Sequence, residues 1–150
     1  MNPARRFPYL PDAGLLVGRL AIGVIFIAHG WQKLTETGHS GVTAMFEGLG
    51  IPFPSLSAAF ATWVELLGGA ALVLGVLVPV AGVLLAVDMA GAFWYAHADK
   101  GLFAGDGGYE LVLALGATCL LLALAGGGRF GVDAVVFGRR EASGREPART

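Results

Sequence analysis

Apolar residues run along this chain in four long blocks, about 13 to 34, 56 to 78, 80 to 98 and 109 to 126, with few charges inside any of them. A helix rises 1.5 Å per residue and the hydrocarbon core of a bilayer is about 30 Å thick, so roughly 20 such residues cross it. The pattern predicts an all-α integral membrane protein, a four-helix bundle. Pro79 separates the second and third blocks with no polar spacer, which predicts a tight antiparallel hairpin. The first block ends in "HGWQKL" and lacks a small-residue cleavage site, so it reads as a span and not as a signal peptide.

Between the first two blocks lies "TETGHSGVTAMFEGLGIPFPSLS". Val42, Met45, Phe46 and Leu49 repeat at i, i+3, i+4 and i+7 before glycines, Pro52 and Pro54 stop any helix, which predicts a short interfacial helix. A lid over an outward-facing site and a plain interfacial connector both suit it, and the connector is the expectation.

Composition agrees: 55% hydrophobic residues, 14% charged residues and a mean hydropathy of +0.69 exclude an ordinary soluble domain. The net charge of -1 is not arranged as a basic stripe, so nucleic acid is not an expected partner. Arg5, Arg6, Arg129, Arg139, Arg140, Arg145 and Arg149 flank the termini, against Lys33 and Lys100 on the other side, which predicts both termini in the cytoplasm. Residues 1 to 138 read as one four-helix transmembrane domain in the cell membrane. Residues 139 to 150 read as a disordered cytoplasmic tail. The single cysteine, Cys119, excludes an internal disulfide and a dithiol pair.

Polar residues within the spans carry the candidate chemistry. Arg19 lies about 9 Å and Asp88 about 12 Å from the cytoplasmic ends of the first and third spans, by the helical rise. An unpaired charge at such depth costs several kcal/mol, so these two are expected to form a structural ion pair. In the outer half lie His29, Gln32, Lys33, Glu65, His97 and Glu110. Steps of 100° put Arg19, Gly23, Phe26, Gly30 and Lys33 on one face of the first span, with His29 at its edge. Ala58, Ala61, Thr62, Glu65 and Gly69 share a face of the second, where small residues admit a neighbouring helix. Asp88 and His97 are nine residues apart, hence on opposite sides of a regular helix. "GVIFIAHGWQK" and "GAFWYAHADK" match at Gly23 and Gly91, Phe26 and Trp94, and His29 and His97, which suits a parallel internal repeat.

A carboxylate and an imidazole in a partly dry site can hydrogen-bond a quinone head group and relay its protons. Glu65, His29, His97 and Glu110 are the catalytic candidates on this reading, with Lys33, Gln32 and Trp94 lining the quinone site. The plainer roles are a first-turn carboxylate for Glu110, favoured by the helix dipole, and an interfacial rest beside Trp94 and Tyr95 for His97. Two histidines on different helices can also hold a b-type haem, but no covalent haem motif is present and quinone is the preferred expectation. No metal site is expected, since no HExxH or ExxH motif occurs. The glycine runs lack the strand that a phosphate loop or dinucleotide fingerprint needs, so flavin or nicotinamide would belong to a partner.

"GRLAIGVIFIAHGWQKL", "GIPFPS", "ELLGGAALVLG", the histidine of "WYAHADKG", "GGYELVLAL" and "GGGRFGVDAVVFG", in that order from about residue 13 to 138, resemble the DoxX family. The resemblance implies a small four-helix membrane protein with a place in membrane redox or sulfur metabolism, beside a soluble or membrane-bound redox partner subunit. It also implies Arg19, His29, Gly30, Lys33, Glu65, His97, Glu110 and Asp133 as site candidates. The family's usual proline in the glycine run after the fourth span is replaced here by "GGG". The expected function is therefore that of a membrane anchor and quinone-facing subunit of an oxidoreductase assembly. The rival is a small transporter or scaffold using the same polar cluster. Glycine-lined faces suggest a homo-oligomer.

Overall fold

In the computed structural model, which describes residues 9–134, the chain is all-α. Helix α1 spans Leu10–Gln32, α2 Gly38–Gly48, α3 Pro54–Leu74, α4 Val78–Ala92 and α5 Glu110–Ala125. Five-residue π-helical turns follow α1 (Lys33–Thr37) and α4 (Phe93–His97). Three helical runs are long and apolar enough to cross a bilayer, and α5, at 16 residues, is a shorter apolar helix. The blocks read from the sequence coincide with α1, α3, α4 together with its π-helical turn, and α5 to within a turn or so. The segment expected to be a cytoplasmic tail lies outside the described residues.

Large apolar side chains face outward on every long helix: Val17, Leu67, Val87 and Leu124 are 66%, 61%, 55% and 87% exposed. Such an apolar girdle suits hydrocarbon, not water. The interior holds Phe26, Leu72, Val78, Leu85, Met89, Leu115 and Cys119. Contacts are most extensive between α1 and α3 and between α4 and α5; α3 against α4 and α1 against α5 close the ring.

Glycine sets the tightest crossings. A Cβ on Gly30 would lie 2.7 Å from the Leu66 amide nitrogen, and one on Gly69 would lie 2.7 Å from the Gly23 carbonyl oxygen. Hence α1 and α3 meet backbone to backbone, as small residues permit in membranes. The face expected for α1 is the one buried: Arg19, Gly23, Phe26 and Gly30. On α3 the buried set is Ala58, Ala61, Thr62, Glu65 and Gly69, joined by Leu72.

The hairpin at Pro79 is formed. Gly75 (φ 72°) and Leu77 (φ 47°) take left-handed conformations in the short turn between α3 and α4, and proline occupies the first turn of α4. The internal repeat is not matched by equivalent environments: Phe26 is 1% exposed and Trp94 71%, and Gly23 is packed against α3 while nothing lies within 4 Å of a Cβ on Gly91.

The segment between α1 and α3 folds back over the bundle. Gly38 takes φ 70° and ψ 161°, a conformation open to glycine, and there the helical run bends so that α2 packs on α3. Val42 is fully buried beneath it, and His39 and Ser55 hydrogen-bond at 3.0 Å.

Candidate functional site

The close crossing of α1 and α3 places Lys33 beside Glu65. Lys33 Nζ donates to Glu65 Oε2 at 2.5 Å, with side chains 18% and 5% exposed. This is the one salt bridge among the described residues. A charge so deep in apolar surroundings requires a partner, and each group supplies the other's. Asp88, half-buried on α4, lines the same cavity as Lys33 and Glu65. The site therefore sets one ammonium against two carboxyl groups contributed by three helices.

His97 joins them through a change of helical phase. On a regular helix Asp88 and His97 would face opposite ways. The π-helical turn Phe93–His97 takes in about one residue more than an α turn and so turns the phase by roughly 100°. Both residues consequently line one cavity, which corrects the expectation that they lie on opposite sides of the helix. His97 Nδ1 donates to the Gly107 carbonyl at 2.6 Å, which leaves Nε2 as the ring nitrogen available for other partners.

Two cavities meet at this cluster. The larger, about 660 Å³, runs beneath α2 between α3 and α4; its apolar walls include Phe46, Phe60 and Tyr95, and Lys33, Glu65, Asp88, His97 and Lys100 supply its charged and polar groups. The smaller, about 290 Å³, lies among α1, α4, α5 and the loop before α5, lined by His29, Met89, Ala104 and Gly107 among others. Met45 and Phe46 of α2, with Leu49 just after it, line the larger cavity, so the segment expected as a plain connector also covers the site.

The remaining candidates are distributed differently. His29 lines the smaller cavity, with Nδ1 donating to the Ile25 carbonyl at 2.9 Å, but is itself exposed. Gln32 is exposed and donates to Glu36 at 3.4 Å, and Trp94 points outward at 71% exposure; neither lines either of these two cavities. Glu110 accepts the Ala104 amide at 2.7 Å and so pins the loop before α5, the plainer of its two roles.

The Arg19–Asp88 pair is not formed. Arg19 is fully buried where the C-terminal end of α3 meets the segment after α5. Its Nη1 donates to the Leu72 carbonyl at 3.5 Å, Gly75 and Gly131 pack against it, and Asp133 is the nearby acid. Depth estimated along single helices put Arg19 and Asp88 level, but Arg19 packs beside Leu72 and Gly75 at the α3–α4 turn, whereas Asp88 shares a cavity with Lys33 and Glu65 further along the bundle. The same end is tied further by Asp12, which accepts the Arg129 amide at 3.0 Å, and by Arg129 over the Tyr9 ring at 5.2 Å.

These features define a multi-pass helical membrane protein with a buried ionic site in its interior. The chain belongs to the DoxX family: the family model matches residues 14–98, which carry Lys33, Glu65, Asp88 and His97. It is 32% identical over 84% of its length to the Bacillus subtilis protein named "Putative oxidoreductase CatD", of which 89% is covered. It is likewise 32% identical to the Mycobacterium tuberculosis membrane protein Rv3486, covering 84% of this chain and 83% of that one. The Escherichia coli inner membrane protein YqjF is 28% identical, with 83% and 92% covered. No solved structure gives a significant match.

Proposed function

We propose that this chain is the quinone-facing integral membrane subunit of an oxidoreductase assembly, holding a quinone head group in the larger cavity. The observation that carries this reading is the Lys33–Glu65 pair, with Asp88 beside it, at a cavity of about 660 Å³ whose walls are otherwise largely apolar. That volume and that pairing of apolar walls with a few convergent polar groups are what an amphipathic ring ligand requires. When bound, a quinone supplies two-electron, two-proton redox chemistry. For this chain's part, Lys33 donates a hydrogen bond to a head-group oxygen, Glu65 and Asp88 hold and release protons, and α2 keeps bulk water out. The name of the Bacillus relative agrees with a redox role.

The electrons go to or come from a partner subunit, soluble or membrane-bound, that carries the flavin, nicotinamide or metal. In this reading α1, α3, α4 and α5 all cross the membrane, both termini are cytoplasmic, and α2 lies at the outer interface. Gly14 and Gly18, four residues apart with nothing within 4 Å of either, offer a small-residue face for self-association.

The test is quinone-dependent reduction in membranes containing the wild-type or the Glu65→Gln chain. Loss of the activity in the variant, with no dependence on an imposed ion gradient, is the expected result. Activity unchanged by the substitution, or solute movement that follows the gradient, would replace this reading with the transporter one.

A further inference from the structure

The ionic site belongs to two cavities at once. Lys33, Glu65, Ala92 and His97 line both, and beyond them the cavities diverge. The larger reaches Phe60, in the first third of α3, and Val87 on α4, large apolar side chains 40% and 55% exposed on the apolar outer surface of the bundle. The smaller reaches His29, Ala104, Gly107 and Gly108, at the end of the bundle where the polar loop precedes α5. A ligand that fills the larger cavity seals it against water. Protons exchanged at Glu65 and Asp88 then need a separate way out.

We propose that the carboxyl site has two entrances: a lateral one from the bilayer through the larger cavity, taken by an amphipathic quinone-class ligand, and an aqueous one through the smaller cavity, taken by protons with His97 as relay. The nature of the ligand rests on the function proposed above; the division into two entrances rests on the cavities alone. His97 suits the relay because the Gly107 carbonyl, which can only accept, fixes the hydrogen on Nδ1. A proton leaving a carboxyl oxygen of the Glu65–Asp88 pair adds to Nε2 and makes an imidazolium. It then passes to water in the smaller cavity and restores the neutral ring. No electron moves along this route.

The experiment uses the full chain in lipid nanodiscs and two carbodiimides, both of which modify protonated carboxyl groups. Dicyclohexylcarbodiimide arrives from the lipid, and a water-soluble carbodiimide arrives from the aqueous phase. Modification at Glu65 or Asp88 is read by peptide mass spectrometry. Gly91→Leu places a side chain into open space in the larger cavity. It should cut labelling by the apolar reagent several-fold and spare the other. Ala104→Trp closes the smaller cavity and should do the reverse. The spared reagent in each variant also reports that the chain is folded. If either substitution suppresses both reagents alike, or neither changes any labelling, the two-entrance proposal is wrong.

Preloading with a short-chain ubiquinone should block the apolar reagent alone. If the two plugs act separately but the quinone protects nothing, the quinone reading falls while the two entrances stand. The relay has its own signature: infrared spectroscopy should show hydrogen–deuterium exchange of the carboxyl proton slowed several-fold in His97→Phe and restored by added imidazole. An unchanged exchange rate removes His97 from the route.

Discussion

Lys33, at the start of the π-helical turn after α1, and Glu65 on α3 are joined at 2.5 Å across a crossing made close by Gly30 and Gly69. Asp88 adds a second carboxyl to the same cation, so the two partners are not equivalent. Lys33→Met strands two acids and should cost about 3–5 kcal/mol, the range for breaking a buried pair, read as thermal stability in mild detergent. Glu65→Gln keeps the shape and a hydrogen-bonding oxygen, and should cost distinctly less. Adding Asp88→Asn to Lys33→Met should recover part of the loss; strict additivity of the two would show that Asp88 does not share the cation.

The crossing itself can be tested. A methyl group at Gly30 or Gly69 meets backbone, not a movable side chain, so Gly30→Ala and Gly69→Ala should each cost about 1–3 kcal/mol as overpacking. Gly91→Ala, with open space around it, should be neutral or slightly stabilising, because alanine is the better helix former. Equal effects at all three positions in detergent melts would mean that α1 and α3 do not approach this closely.

Arg19 and Asp88 have no shared partner, so Arg19→Leu and Asp88→Leu should add within about 0.3–0.5 kcal/mol. Gly75→Val is the severe change at the Arg19 end, since its side chain would overlap the guanidinium and its φ of 72° disfavours a branched residue. A double Arg19→Leu, Asp88→Leu chain more stable than that sum would restore the direct pair.

Membrane sidedness is open to cysteine labelling against a quiet background, because the one native thiol, Cys119, is fully buried. Ser40→Cys should react only with an impermeant reagent added outside, and Ser143→Cys only from the cytoplasm. Reaction of both from one side would contradict four crossings.

Much of this architecture is legible in the chain because a bilayer makes burial nearly one-dimensional. Helical stepping alone named the buried faces of α1 and α3, down to Gly23, Phe26, Gly30 and Glu65. Two things escaped it. The π-helical turn at Phe93–His97 leaves no mark in hydrophobic period, so the meeting of His97 with Asp88 could not be counted from 100° steps. Depth counted from assumed helix ends also misplaced the pair: Arg19 lies beside Gly75 at the α3–α4 turn, and Asp88 lies in the cavity of Glu65, which stands ten residues before Gly75 in the chain. Gly75 and the "GGGRFGVD" segment were the available signal for Arg19, since glycines that admit a guanidinium leave their trace as glycines.

The most direct test of the central claim is equilibrium binding of a short-chain quinone to the purified chain in nanodiscs, compared with Gly91→Leu. The account predicts saturable binding to the wild type, weakened by Glu65→Gln and abolished by Gly91→Leu, which adds a side chain to the lining of the larger cavity. Saturable binding of equal strength in Gly91→Leu, or none in the wild type, would contradict a quinone site at Lys33, Glu65 and Asp88.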